Sequence, residues 1–488
     1  MMKRNQTTSE QVKKNRSSST TNDDPSSLPK RNLRRRERCI SVKKAFLSFH
    51  VILLLGYLSH FALQANVGTD DLSAEILQLG NNDAPIRGDT ITLDSEETDP
   101  VRGVEGPEKC TLEQLMKVRT QLDPKHCAAT IDRPFYQKCS LTAATKCPDT
   151  SNYLDEYYDE IQKQYLKSSN RKNDFDPFVG LSVGCNKGFD ALNTLRMGTF
   201  DASLSKEAWR KEMLKDGVLW KSVCAQDSTS IFSVDAAIVE PREGVVHCFE
   251  PMPATVTKLQ ESSRNLGYDK KGYKVVHAAV DDKIGKVYFP ATAVSGVENH
   301  GIGNCVGQAT KLKDKIGDCT AEVEVLTLKK YVKENIPGDG PIHILQVDVE
   351  GYDNNVLLGA EKDVLERVEY LEFEYNWMGP WKDQHLYDTI EMLDELDFTC
   401  YWTGRQMLWR ITGCWQLYFD IHAWSNISCA NRRRVPVLAN KMEGVFQQTL
   451  KSNRNYRGRV LNYETLPPNQ EAMSTDPEIM TQKYLNLS

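Results

Sequence analysis

Five residues in three short segments have the types and spacing needed to bind a polar ligand and move a proton. Gly184 and Gly188 form a Gly-x-x-x-Gly turn between an apolar run and a helical pattern. Glycines let the backbone approach a ligand closely, and the N–H groups at a helix start favour polar or anionic atoms. Glu250 follows a second apolar run and could accept both hydrogen bonds of a sugar diol. Asp348 and Glu350 follow a third run and could take or orient the proton of a hydroxyl group.

The apolar runs that precede these groups alternate with segments of helical periodicity, which indicates a mainly parallel sheet covered by helices. The predicted strands are Phe178–Val183, Gly244–Phe249, Tyr273–Val280, Val323–Leu326, Ile342–Val349 and Val368–Tyr375, with a closing hairpin of Thr399–Trp402, Met407–Ile411 and Trp415–Phe419. In such a sheet, ligands bind at the carboxyl ends of the strands. Each carboxylate alone is more often a helix cap or a surface charge, but three strand ends that carry suitable groups favour a site.

Six segments, in this order, resemble the FkbM-type S-adenosylmethionine-dependent methyltransferases. They are VGCNKG, FEPMPATVTKLQ, HAAVDDKIGKV, VEVLTLKKYV, LQVDVEGYDNNVLLGA and VEYLEFE, within residues 178–375. The VDVEG block with its following helix and the threonine-leucine element upstream are the most specific parts, and the glycine turn contributes least. The resemblance implies a class I, Rossmann-like α/β methyltransferase fold, which is a seven-stranded, mainly parallel sheet with one antiparallel strand.

The resemblance also implies S-adenosylmethionine as the cofactor, together with the residues that would hold it. Gly184, Asn186 and Gly188 would line its methionine and ribose portions. Glu250 would hold the ribose hydroxyls, and the turn Ala279–Asp281 would border the adenine, with Asp281 reading the ring edge.

By the same resemblance, Asp348 and Glu350 would face the methyl group and the acceptor as the catalytic residues, and no metal ligand is predicted. Two alternatives remain open. Asp348-Val349-Glu350 could be the D-x-D-like metal site of a type II glycosyltransferase. In addition, the family usually has an acidic residue where this chain has Ser182, which leaves room for a non-catalytic pseudo-methyltransferase scaffold. Asp190, just inside the next helix, could compensate for that loss.

The N-terminal region predicts a membrane anchor. Residues 1–44 carry 13 Lys and Arg against 4 Asp and Glu, in a chain of 488 residues whose net charge is −6. Ala45–Ala65 has 21 residues without formal charge, and as a helix it would extend roughly 31 Å, enough to cross a hydrocarbon core. The positive-inside rule leaves the basic tail in the cytosol and the rest of the chain across the membrane. A cleaved signal peptide is the alternative, which the long leading segment disfavours.

The rest of the chain divides by composition and cysteine content. The predicted regions are a basic disordered tail (1–44), the anchor (45–65), an acidic stem (66–109), a Cys-rich helical lead-in (110–170), the methyltransferase-like domain (171–425) and a polar tail (426–488). Twelve of the thirteen cysteines follow the anchor, which indicates disulfides in an oxidising compartment. The densest cluster, for which the spacing leaves three pairings open, is Cys110, Cys127, Cys139 and Cys147.

The resemblance and the anchor together suggest O-methylation of a sugar hydroxyl on a glycan, by a single-pass type II protein of the Golgi with a lumenal catalytic domain and no nucleic-acid partner. Asn426-Ile427-Ser428 is a glycosylation sequon on that side. His343 is predicted to be structural, whereas His300 could act as a base. Five aromatic residues could stack on sugar rings, although core packing is their commoner role: Tyr375, Trp377, Trp381, Trp402 and Trp409.

Overall fold

The computed structural model describes one unit of the chain, which begins after the predicted anchor. The described residues are 106–122, 140–145, 151–216, 232–291, 295–296, 305, 319–404, 406–420, 422 and 424–452, all within the compact unit Glu97–Ser488. The predicted tail, anchor and most of the stem lie outside them, as do His300, Cys127, Cys139 and Cys147. Among the described helices, none is long and apolar enough to span a bilayer.

An eight-stranded sheet forms the centre of this unit. The strands in chain order are β1 (Phe178–Val183), β2 (Gly244–Glu250), β3 (Tyr273–His277), β4 (Ala279–Val280), β5 (Gly285–Phe289), β6 (Ala321–Leu326), β7 (Ile342–Val347), β8 (Val368–Tyr375), β9 (Phe398–Thr403), β10 (Leu408–Arg410) and β11 (Ser425–Asn431). The large sheet has the order β10-β9-β11-β8-β7-β1-β2-β3, and β4-β6-β5 form a second, small sheet. Strands β3, β2, β1, β7 and β8 are parallel, and β11 runs antiparallel between β8 and β9.

This topology confirms the predicted α/β class with a mixed, mainly parallel sheet and corrects its strand number. The large sheet has eight strands rather than seven, because the short edge strand β10 pairs antiparallel with β9. The predicted hairpin partner Trp415–Phe419 is not a strand, since residues Leu417–Phe419 form a 3₁₀ turn. The inserted antiparallel strand is instead β11, which begins at the predicted boundary between domain and tail. Its polar sequence SNISCAN did not indicate a strand, although β11 pairs with β8 on one side and with β9 on the other.

Helices cover the sheet. They are α1 (Leu112–Leu122), α2 (Ser140–Thr145), α3 (Glu156–Lys167), α4 (Arg171–Asp174), α5 (Phe189–Thr199), α6 (Lys206–Met213), α7 (Pro253–Leu266), α8 (Leu328–Asn335), α9 (Asp353–Leu365), α10 (Leu386–Glu395) and α11 (Pro436–Lys451). Helix α5 packs on β1 and β2, α9 on β8, α10 on β9, and α11 on β10 and β11.

Local sequence signals account for several helix boundaries. The hydroxyls of Ser205 and Thr327 accept hydrogen bonds from the backbone N–H groups of Ala208 and Lys330, so they cap α6 and α8. Helix α7 begins with a proline at its first position and ends at Gly267, which has a left-handed backbone. Each of these signals involves residues close together in the chain, so they can be predicted from the sequence.

The lead-in and the C-terminal helix pack together instead of forming separate regions. Helix α11 contacts both α1 and α3. The Gln121 amide donates to the carbonyl of Thr449 at 2.6 Å, and Trp409 donates to Gln121 at 3.1 Å. A disulfide joins Cys110 to Cys414, 304 residues away, so Cys110 does not pair within the predicted local cluster. The fold therefore extends past residue 425, to the end of α11 at Lys451.

Candidate active site

The carboxyl ends of four parallel strands lie in register at one edge of the large sheet. Val183 at the end of β1 pairs with Phe249 on β2 and with Val347 on β7, and Val347 pairs with Phe373 on β8. Each strand is followed at this edge by a predicted or newly observed functional group. The groups are Gly184 after β1, Glu250 at the end of β2, Asp348 after β7 and Glu374 on β8. The sheet therefore brings together four segments that are separate in the sequence.

The glycine turn is bound to β2 through its backbone. The N–H groups of Gly184 and Cys185 both donate to the carbonyl oxygen of Phe249, each at 3.0 Å. Gly184, Asn186 and Gly188 have positive φ angles of 82°, 43° and 73°. Left-handed backbone at three of five positions curls the turn tightly, and two of these positions are glycines because only glycine adopts this conformation without strain.

Glu250 is fixed beneath this turn. Its two carboxylate oxygens accept hydrogen bonds of 2.9 Å from the backbone N–H groups of Asn186 and Met252. Glu250 is 4% exposed, and burial raises the pKa of its carboxyl group to about 7, against the two hydrogen bonds that lower it. Each oxygen keeps a second lone pair, so the group can still accept hydrogen bonds from a diol.

A disulfide between Cys185 and Cys248 ties the same turn to β2, with a Cα–Cα separation of 5.6 Å. Gly188 fixes the other end of the turn through close packing and two hydrogen bonds. A side chain there would collide with Tyr273 and Leu259, the Gly188 N–H donates to Cys185 at 2.6 Å, and its carbonyl accepts from the Tyr273 hydroxyl at 3.1 Å. Gly188 therefore packs into the protein with both backbone groups engaged, and the cofactor contact that the resemblance implies for it stays a prediction.

Four carboxyl groups lie at or after the carboxyl ends of β7 and β8. Asp348 is exposed, Glu350 is half-buried with a φ of 57°, and Asp353 and Glu374 are buried. Burial raises the pKa of Asp353 to about 7. The pKa of Glu374 is raised well above its usual value, first by burial and then by the charges of Asp348, Glu350 and Asp353. The predicted catalytic pair therefore lies in a strongly acidic environment, where a hydroxyl donor is a favoured neighbour.

The turn Ala279–Asp281 connects to this acidic region through helix α9. Ala279 is buried in the small sheet, and the Asp281 carboxylate accepts a hydrogen bond of 2.9 Å from the Asn355 amide. The side-chain oxygen Oδ1 of Asn355 accepts in turn from the Gln384 side-chain amide at 3.0 Å. One chain of hydrogen bonds thus extends from the predicted adenine turn to the segment after β8.

In that segment, His385 pairs with the carboxylate of Asp420, a contact that the sequence did not predict. Nδ1 of His385 lies 2.6 Å from Oδ2 of Asp420. The other oxygen of Asp420 accepts from the Tyr375 hydroxyl at 2.8 Å and from the Leu386 N–H at 3.1 Å. The His385 side chain is 51% exposed, whereas that of Asp420 is 6% exposed. Thirty-five residues separate the two, so no spacing in the sequence indicates the pair.

Other predicted residues have structural roles. Tyr375, Trp381, Trp402 and Trp409 are fully buried in the core and present no face to a sugar, whereas Trp377 is half-buried. His343 is buried between the Val179 N–H and Arg242, and burial together with the Arg242 charge lowers its pKa to about 3, in agreement with the structural assignment. Ser182 is buried within β1, and Asp190 is exposed on α5.

The sequon at Asn426 is also part of the core. Asn426 pairs with Glu374 on β8, and its side-chain amide donates to the carbonyl of Thr145 at 2.6 Å. Ser428 is fully buried and accepts a hydrogen bond from the Tyr370 hydroxyl. A glycan at Asn426 would have to replace these contacts.

Comparisons with known proteins match part of the chain. Residues 225–400 match the family model of the methyltransferase FkbM domain, a match that begins after the glycine turn. A crystal structure of methyltransferase FkbM from Methylobacillus flagellatus KT is similar with 12% sequence identity and a TM-score of 0.28, over 65% of this chain and 58% of that chain. No curated protein matches the chain significantly. The residues that match this family model include β2 to β8 with Glu250, Asp348 and Glu350.

Proposed function

We propose that this protein is an S-adenosylmethionine-dependent methyltransferase that O-methylates a sugar hydroxyl of a glycan on the lumenal side of a Golgi membrane, anchored through Ala45–Ala65. The observation that carries the proposal is Glu250, held by the Asn186 and Met252 N–H groups at the carboxyl end of β2. It lies beside the glycine turn and within the region that matches the FkbM model.

The residues at this edge fit the cofactor. Among the described residues, Oδ1 of Asn186 is a buried oxygen without a hydrogen-bond partner, and it could accept from an ammonium group such as that of the methionine portion. It would replace the acidic residue that the family usually has at the position of Ser182. Glu250 would accept from the ribose hydroxyls, and Asp281 would accept from the adenine amino group. When bound, the cofactor would supply an electrophilic sulfonium methyl group.

The oxidising compartment is supported by the cysteines. Each of the eight cysteines in the described part of the chain lies in a disulfide: Cys110–Cys414, Cys185–Cys248, Cys305–Cys319 and Cys400–Cys429. Stable disulfides of this number are typical of secretory compartments. The basic N-terminal tail and the uncharged segment that follows it support the type II orientation.

A calorimetric titration of S-adenosylmethionine and S-adenosylhomocysteine into the full chain in detergent micelles tests the proposal. We expect binding in the micromolar range that Glu250→Gln weakens by at least about tenfold, because a diol loses a charged acceptor. Glu369→Gln is the matched control, since burial raises the pKa of Glu369 to about 7 as well, and this residue lies near the amino end of β8.

The opposite result has a clear meaning. If the folded wild-type chain binds neither compound, the methyltransferase proposal is wrong, and the scaffold and glycosyltransferase alternatives take precedence. Binding of a nucleotide sugar with Mn²⁺ would then identify the glycosyltransferase.

A further inference from the structure

We propose that His385, oriented by the buried Asp420, is the general base that removes the proton from the acceptor hydroxyl. The proposal rests on the proposed methyltransferase function. It assigns the proton transfer to a residue outside the region around Asp348 and Glu350 and leaves those two carboxylates to orient the acceptor.

The hydrogen bonds around Asp420 determine which ring nitrogen of His385 is basic. A carboxylate oxygen only accepts, so Nδ1 of His385 carries the proton that it donates to Oδ2 across 2.6 Å. Nε2 is then the nitrogen with the lone pair. The Tyr375 hydroxyl and the Leu386 N–H donate to Oδ1 of Asp420, which keeps the carboxylate oriented toward the histidine.

The difference in burial between the two side chains suits a base that must be reached by an acceptor from outside. Asp420 is 6% exposed and is anchored to the last residue of β8, while the His385 side chain is 51% exposed. The buried carboxylate can stabilise the imidazolium that forms on proton transfer, and the exposed ring can release the proton to solvent. This is the arrangement of a histidine base supported by a buried carboxylate.

The pair belongs to the same edge of the sheet as the predicted site. The loop after β8 that carries His385 packs on the turn after β7, since the backbone of Met378 lies against Gly351, where a side chain would overlap it. Gln384, next to His385, is joined through Asn355 to Asp281. The loop is therefore held against both the acidic turn and the predicted adenine turn.

The neighbouring His422 is less accessible than His385, since its side chain is 17% exposed. Nε2 of His422 lies 3.1 Å from the Gln384 carbonyl, which can only accept, so that nitrogen carries a proton. Burial lowers the pKa of His422, the charge of Asp420 opposes this shift, and His385 adds to it. Three further titratable groups lie around the pair. Nε2 of His422 lies 3.6 Å from Oδ1 of Asp420, the Tyr375 hydroxyl donates to Asp420, and the charge of Asp383 acts on His422.

The reaction balances with these groups. The acceptor oxygen forms a bond to the methyl carbon as the carbon–sulfur bond breaks, and the sulfur keeps the electron pair as a neutral thioether. The hydroxyl proton moves to Nε2 of His385, which gives an imidazolium paired with Asp420. Loss of that proton to solvent restores the neutral ring. A hydroxyl needs such a base because it is a weak nucleophile while it keeps its proton.

The test uses the full chain in detergent with tritiated-methyl S-adenosylmethionine and a pool of glycans released from secretory glycoproteins. We expect His385→Gln to lower kcat by about 10²- to 10⁴-fold, with cofactor binding unchanged. Asp420→Asn should lower kcat by at least about tenfold. Asp383→Asn, which removes a charge near His422 and leaves Asp420 in place, is the control and should stay within about threefold of the wild type.

A second measurement does not depend on the acceptor. In full chain labelled with ¹⁵N-histidine, with the His385 signal assigned by its loss in His385→Gln, we expect a protonated Nδ1 and an unprotonated Nε2. A proton on Nε2 in the neutral ring overturns the proposal even if no glycan in the pool accepts a methyl group. Wild-type turnover by His385→Gln overturns the role of His385 alone, whereas a wild-type chain that binds no cofactor overturns the methyltransferase function and this role with it.

Discussion

Gly184 and Asp348 lie in direct backbone contact: the space that a side chain at Gly184 would occupy is filled by the carbonyl oxygen of Asp348. The Asp348 N–H also donates to the carbonyl of Val183 at 2.9 Å. The turn after β1 and the turn after β7 are therefore one packed unit. The groups proposed to bind the cofactor and those proposed to orient the acceptor cannot move independently of each other.

This contact predicts that Gly184→Ala destabilises the protein more than a positive φ alone explains. Gly338 is the control, because its φ of 78° is close to the 82° of Gly184 and no heavy atom lies within 4 Å of an added methyl group. We expect Gly338→Ala to cost about 1–2 kcal/mol from backbone strain and Gly184→Ala at least about 2 kcal/mol more from overlap with the backbone. Denaturant unfolding measures both, and equal losses would contradict the contact.

Glu250 predicts a pH-dependent stability. Folding raises its pKa from 4.5 to about 7, so its contribution to stability is fully present below about pH 4.5 and is lost as the pH rises through 7. A shift of this size corresponds to about 3 kcal/mol. Glu250→Gln should flatten that part of the pH dependence of the unfolding free energy, measured by denaturant titration between pH 4.5 and 8. A variant that keeps the wild-type slope shows that Glu250 is not the group responsible.

The Cys185–Cys248 disulfide predicts a link between oxidation and cofactor binding. It holds the glycine turn on β2, where the Asn186 N–H meets Glu250. We expect the double variant Cys185→Ala/Cys248→Ala to raise the Kd for S-adenosylmethionine by about tenfold. This factor corresponds to the free energy of about one hydrogen bond. Calorimetry below the unfolding temperature of the variant measures this. Cys305→Ala/Cys319→Ala removes a disulfide of 14-residue separation as the control, and equal effects of the two pairs would refute the link.

The burial of β11 predicts that Asn426 carries no glycan in the folded protein. Asn426 donates to Thr145, and Ser428 is fully buried in a strand paired on both edges. Mass spectrometry of the peptide around Asn426, before and after enzymatic deglycosylation of protein from a secretory host, should show an unmodified asparagine. A high occupancy in folded protein would mean that β11 does not occupy this position.

The removal of the same hydrogen bond gives a measurable cost. Asn426→Ala leaves the Thr145 carbonyl without its donor, and we expect a loss of about 1–3 kcal/mol in the free energy of unfolding. Asn426→Gln keeps the amide but displaces it by one methylene, so partial retention of stability is the expected result. Denaturant unfolding of the two variants checks the order, and no loss in Asn426→Ala would contradict the contact.

The sequence by itself determined the elements that depend on neighbouring residues. The apolar runs of β1, β2, β7 and β8, the glycines of the turn at Gly184 and the carboxylate at Glu250 could all be predicted, because a strand, a turn and the group after it are encoded within a few residues. The order of these segments also sufficed for the resemblance to the FkbM methyltransferases.

Only the tertiary structure decided which distant residues meet. Strand β11 is polar along its sequence, and only pairing with β8 and β9 makes it a central strand. Gly188 is packed because Tyr273 on β3 lies against it. His385 contacts Asp420 because the end of β8 lies next to the start of β11. Such contacts result from the packing of segments remote in the chain, and no local pattern encodes them.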